Sequence, residues 1–190
     1  MKIEDRKKNL ILNNGNIAVI LIDVQDSLIA EIKKKNLLID ALNILIKSSE
    51  IFNLPILLTE QVPDKLGGTS SSLLLSSDIT RIDKNSFSIF GSEGVQQYLL
   101  EQKISHLILS GVETSICVYL SAIDAIKAGL EVTILSDCIG ARRTEDESVV
   151  LAKLQNAGCH ILPMESFLYG YMGTAAHPNF REISKLISNR

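Results

Sequence analysis

The 190-residue sequence contains no CxxC pair. Its three cysteines, Cys117, Cys138 and Cys159, stand alone, an odd set that fits neither a zinc knuckle nor a thioredoxin motif. Free thiols of this kind suit a reducing, cytoplasmic setting. An excess of one charge is also missing: 19 basic residues face 22 acidic ones, a net charge of −3, and no basic patch stands out. Nucleic acid and anionic membrane are therefore not expected as partners. Long hydrophobic runs are absent. Ile17–Ile22 is far too short to span a bilayer, and Asp40 and Asn43 interrupt the apolar segment 37–46. The opening MKIEDRKKNLILNNGN sets charges on both sides of a very short apolar run, which does not read as a signal peptide. With no internal repeat, low-complexity tract or interdomain linker, one domain over residues 1–190 is expected.

What is present is an ordinary globular mix, 46% apolar and 22% charged. Short, nearly uniform apolar runs at 17–22, 55–59, 106–110, 132–136 and 159–163 read as parallel strands buried on both faces. Between them lie helical patterns. Leu38, Ala41, Leu42 and Leu45 recur at helical spacing, and Val95, Leu99 and Leu100 suggest a shorter helix. A third helix follows Thr114 and stops near Gly129. A fourth has Thr144 and Glu147 spaced as a capping box and Gly158 at its end. The expected fold is α/β, a three-layer α-β-α arrangement around an open, mostly parallel sheet of about five or six strands. Segment 61–91, rich in glycine and serine, reads as a long loop with a short edge strand near 79–83. A connection of that length is more often functional than idle.

In such sheets ligands bind beyond the carboxyl ends of the strands. Asp23 follows the first strand, Glu60 and Gln61 the second, Cys117 the third, and Asp137 and Cys138 the fourth. His106 and His160 sit at strand beginnings, on the opposite edge, so a cysteine–histidine pair of the papain type is disfavoured; only His177 remains available. In Leu107-Ile-Leu-Ser-Gly-Val-Glu-Thr-Ser-Ile-Cys117 a buried strand and tight turn lead into a helix whose first turn carries the thiol. Orphan N–H groups and the helix dipole are expected to lower its pKa. Asp23 is the natural base if burial raises its own pKa. A cation is then needed to offset the carboxylate, and Lys84 is the one the long connection can deliver. Plain alternatives stand beside each: Asp23 as a helix cap, Lys84 as a solvated lysine, Cys117 as a small core residue. Arg142 and Arg143 lie where a substrate carboxylate could be met, with a solvated face as the default.

These segments match a family. Leu21-Ile-Asp-Val-Gln25, the segment containing Lys84 and Gly111-Val-Glu-Thr-Ser-Ile-Cys117-Val resemble, in order and spacing, the isochorismatase-like cysteine hydrolases. That superfamily includes nicotinamidases, carbamoylsarcosine amidohydrolases and ureidoacrylate hydrolases. Thr59-Glu-Gln61, Lys84-Asn-Ser-Phe-Ser88 and His177-Pro-Asn-Phe-Arg-Glu-Ile183 look most like the isochorismatase domain-containing subgroup. The resemblance implies a triad of Asp23, Lys84 and Cys117. It also implies a cis peptide between Val112 and Glu113 that aims the N–H groups of Glu113 and Cys117 at one point, an oxyanion hole. The chemistry implied is acyl transfer on a small amide through a cysteine thioester. Nicotinamidases carry an Asp-x-His metal site where this chain reads Thr59-Glu60-Gln61-Val62-Pro63, so no metal and no cofactor are expected. Vinyl-ether hydrolysis of isochorismate needs no sulfur nucleophile, which favours an amide.

Gln25, Glu60 and Gln61 are candidates for binding substrate polar groups, and Phe87 for walling the pocket. Cys138 is read as a packed residue or part of the rim, and Cys159 as the start of a buried strand. Two other functions compete. A nucleotide- or flavin-binding module needs a glycine-rich phosphate loop, and the first strand–helix turn, Asp23-Val-Gln-Asp-Ser27, has no glycine. A catalytically silent interaction protein on the same fold remains the alternative. A homo-oligomer is expected in either case, with Phe180, Ile183, Leu186 and Ile187 as a subunit contact or as packing on their own domain.

Overall fold

The structure, a computed structural model, describes residues 16–188. It contains strands β1 (Asn16–Ile22), β2 (Ile56–Gln61), β3 (Thr80–Lys84), β4 (Ile104–Val112), β5 (Glu131–Gly140) and β6 (His160–Leu162). The helices are α1 (Asp26–Ile29), α2 (Lys35–Ile51), α3 (Pro63–Leu66), α4 (Glu93–Glu101), α5 (Tyr119–Lys127), α6 (Thr144–Asn156), α7 (Met164–Met172) and α8 (Phe180–Ser188). The strands form one sheet in the order β3-β2-β1-β4-β5-β6, every neighbouring pair parallel. The central β1 shows why its run is uniformly apolar. Ile17, Val19 and Leu21 pack with α2, α7 and α8, while Ala18, Ile20 and Ile22 pack with α4, α5 and α6. Helices thus cover both faces, in three layers.

Four features differ from the sequence reading. The capping box does not form: Arg143, not Thr144, is the N-cap of α6, and no side chain caps that helix. Glu147 is instead engaged by the Thr114 hydroxyl, at 3.4 Å, and by the main chain of Ala141. The fourth predicted strand does not stop at 136. A register shift in β4–β5, from Leu109↔Ile134 to Gly111↔Ile139, carries β5 to Gly140. Asp137 and Cys138 therefore lie within the strand: Asp137 accepts the Met164 N–H at 2.8 Å, and Cys138 is packed in the core beside α2. Cys117 lies not in the first turn of an α-helix but in a π-helical turn, Thr114–Val118, that precedes α5. Finally, α7 went unread, because its start after Pro163 is set by Asp137 from another strand.

The C-terminal segment packs on its own fold. Ile183 and Ile187 of α8 are buried in the cluster built by α2 and α7. Val95 and Leu99 of α4 face inward, whereas Leu100 is exposed.

Candidate active site

The end of β1 and the end of β4 come unusually close. Ile22 pairs with Gly111, whose φ is +102°, and a Cβ on Gly111 would stand 2.2 Å from the Ile22 carbonyl oxygen. Only glycine permits both the conformation and the approach. Just beyond this contact β1 turns out of the sheet at Asp23, which has φ 51°. From β4 the chain passes through the cis Val112–Glu113 peptide into the turn that holds Cys117. The Glu113 carbonyl accepts the N–H groups of Ile116 and Val118, both at 3.1 Å, which winds that turn.

Asp23 is fully buried. One carboxylate oxygen accepts the Thr59 hydroxyl at 2.8 Å, and the other lies 2.6 Å from the Lys84 ammonium. Lys84 arrives from the edge strand β3, with both its side chain and that of Asp23 sealed from solvent. Its ammonium also donates to Gln61 Oε1 (2.6 Å) and to the carbonyls of Ser86 (3.0 Å) and Phe87 (3.3 Å), and it lies 3.9 Å from Cys117 Sγ. The Cys117 thiol also interacts with the Asp23 carboxylate. The plain readings of Asp23 as a cap and Lys84 as a solvated lysine do not describe these positions.

The electrostatics differ from the expected lowering of the thiol. Burial pushes Cys117 up to about 12, the Asp23 charge pushes the same way, and Lys84 with the Glu113 main chain only partly opposes them. Desolvation of the sulfur outweighs the groups that favour its charged form. Burial likewise raises Asp23, against the pull of Lys84, Thr59 and Cys117. Both shifts favour a protonated sulfur beside a carboxylate more basic than usual.

A cavity of about 260 Å³ opens over the sulfur. Leu28, Leu66, Phe87 and Ile116 give it apolar walls, Gln61 and Cys117 lie along it, and Glu31, Glu113 and Arg142 bring charge to it. Of the four residues expected to bind substrate, Gln61 and Phe87 line this cavity. Gln25 and Glu60 do not, and their polar atoms are engaged elsewhere. Gln25 is fully buried, accepting the Gln61 N–H at 2.7 Å and donating to the carbonyls of Gln61 (3.1 Å) and Gly67 (2.5 Å). One Glu60 oxygen accepts both the N–H and the hydroxyl of Thr69, fastening the loop after α3. Both residues shape the connection rather than face the cavity. Sequence reasoning passed over Glu31 and Glu113 as cavity residues. Arg142 does reach the cavity, its Nε 2.5 Å from Glu113 Oε1.

His106 lies at the other edge, as its place near the start of β4 implied, bonded to the Thr133 hydroxyl at 2.8 Å. Among the described residues no group of three or more histidine, cysteine, aspartate or glutamate side chains is placed to hold a metal ion. Nor is any of their helices long and apolar enough to cross a membrane.

Comparison with known proteins agrees with this architecture. Isochorismatase domain-containing protein 2 of Danio rerio is 34% identical over 146 residues, 76% of this chain and 73% of that protein. The secreted isochorismatase effector Isc1 of Phytophthora sojae is 30% identical over 152 residues, 76% of this chain and 71% of the effector. The solved structure of the MAR1 ribonuclease from Caenorhabditis elegans superposes with a TM-score of 0.86 at 29% identity, over 93% of this chain and 92% of that one. The sequence model of the isochorismatase domain matches residues 17–166. With its six parallel strands and helices on both faces, the chain belongs to the isochorismatase family and has that family's hydrolase fold.

Proposed function

We propose that this chain is a cysteine-dependent hydrolase of a small amide or related acyl substrate. The observation that carries the reading is the convergence of Asp23, Lys84 and Cys117 beneath a cavity that exposes only the sulfur. Burial favours the protonated thiol, so in this reading deprotonation accompanies attack. Asp23 takes the proton as the sulfur adds to the amide carbonyl, and burial has already made that carboxylate a better base. Lys84 compensates the charge, which otherwise would sit unpaired in the interior. The N–H groups of Glu113 and Cys117 receive the oxyanion; that of Glu113 already bears on the sulfur. Protonated Asp23 returns its proton to the leaving amine or ammonia, and water then cleaves the thioester. No metal and no cofactor enter these steps.

Cavity size supports a small-molecule substrate. A cavity of about 260 Å³ lies near the lower end of the roughly 300–1,000 Å³ of small-molecule sites. An RNA substrate, suggested by the name of the C. elegans protein, would need a cationic groove, whereas this cavity carries two glutamates and one arginine. The name of the P. sojae effector points to isochorismate, a reaction in which Cys117 would be idle. No disulfide joins Cys117, Cys138 and Cys159, and this odd set of cysteines supports a reducing, cytoplasmic compartment. The same reading includes a homo-oligomer, with exposed Leu100, Leu120 and Val149 on helices α4, α5 and α6 as candidate contacts.

The test is a panel of small amides followed by ammonia release and intact mass, for wild type and Cys117→Ala. Turnover with a trapped acyl adduct, both lost in the variant, is the expected result. No turnover, together with a Cys117 no more reactive than Cys138 or Cys159, would instead indicate a silent interaction protein.

A further inference from the structure

We propose, resting on the amide-hydrolase reading above, that the charged rim of the Cys117 cavity excludes carboxylates, so that the substrate is a small, mainly apolar amide with no acidic group. Arg142 is the cation that could receive a substrate carboxylate, but it already has a partner. Its Nε lies 2.5 Å from Glu113 Oε1, and its main-chain N–H approaches Glu113 Oε2 at 3.4 Å. Glu113 is only 8% exposed. An incoming carboxylate would have to share the single Arg142 charge with Glu113, placing two carboxylates, one of them largely desolvated, against one guanidinium. Glu31 adds a second negative charge to the same cavity and has no ion-pair partner among the described residues. Beneath the sulfur, Lys84 is already matched to Asp23 and surrounded by Gln61 and two carbonyls, so it offers no spare cation. An uncharged amide disturbs none of these pairs, and its apolar body meets the apolar walls.

Two alkylating reagents of nearly equal size isolate the charge. Iodoacetamide and iodoacetate differ in carboxamide against carboxylate, and the state of the thiol affects both alike, so it cancels in their rate ratio. Modification of Cys117 is followed by peptide mass spectrometry, with N-acetylcysteine as reference. Relative to that reference, the ratio should favour iodoacetamide by about 10-fold in wild type, as like charges in a partly desolvated site require. Glu31→Gln should lower the ratio by about 3-fold, the size of one partly solvated charge interaction, and Arg142→Gln should raise it. Preference for iodoacetate, lost in Arg142→Gln, would overturn the proposal and make Arg142 a carboxylate receptor. Failure of both reagents to modify Cys117 would be a different result: it would remove the nucleophile reading, and the proposal with it.

Discussion

The Lys84 ammonium lies 2.6 Å from the Asp23 carboxylate with both side chains fully sealed from water. Breaking a buried pair costs more than replacing it, because the remaining charge is stranded. Lys84→Met should therefore destabilise the protein by about 3–5 kcal/mol, read by urea unfolding. Adding Asp23→Asn should restore much of that loss without restoring turnover. A single Lys84→Met as stable as wild type would show that Asp23 is protonated or that water reaches it.

Asp23→Asn should separate thiol reactivity from turnover. The Asp23 charge and hydrogen bond both raise the Cys117 thiol, and Lys84 lowers it. Removing the carboxylate while keeping Lys84 should bring the thiol down from about 12. Iodoacetamide should then alkylate Cys117 faster between pH 7 and 9 (about the ordinary thiol range), while amide hydrolysis falls by about 100-fold or more through loss of the proton carrier. Loss of both would assign Asp23 to holding the site's shape.

Alkaline stability should report on two thiols. Burial raises Cys117 from 9.0 to about 12 and Cys159 from 9.0 to about 11. The unfolded chain releases these protons near 9 while the folded chain keeps them, so stability is fully present below that pH and lost as pH rises toward 11–12. The expected slope is about −1.4 kcal/mol per pH unit for each thiol. Denaturant titrations from pH 8 to 11 (about the window those thiols span) should show a shallower decline in Cys117→Ala, and shallower again with Cys159→Ala.

Gly111→Ala should damage fold and site together. The added methyl meets the Ile22 main chain, on a backbone conformation with φ +102° that alanine resists. We expect a loss of about 3 kcal/mol, read as a lowered Tm. Because Ile22 immediately precedes Asp23, turnover in the folded fraction should fall as well. Unchanged stability would show that β4 can move away from β1.

The strands were legible because parallel strands covered on both faces leave few polar positions, and the place of β3 followed from a short run near Asp83. That Asp23, Glu60 and Cys117 lie at one edge also followed from strand direction. What stayed hidden depended on partners distant in sequence. Thr144 and Glu147 have the right local spacing for a cap, but Glu147 is held by Thr114 and Ala141. Gln25 and Glu60 sit at the right edge, yet the Gln61 main chain and the loop at 67–69 claim their polar atoms. The sign of the thiol's shift was missed because desolvation is a property of the assembled core, invisible from a turn's dipole alone.

Lys84 is carried by β3, one of the two edge strands, whose pairing places it opposite Gln61. Side chains alternate between the two faces of a sheet, so a slip of one residue would turn the ammonium to the wrong side and leave Asp23 stranded. The charge pair thus acts as a proofreader of assembly: only a correctly threaded edge yields a settled interior. Chains threaded wrongly would be poorly stable, so the population that survives is the one with Lys84 already set against Asp23.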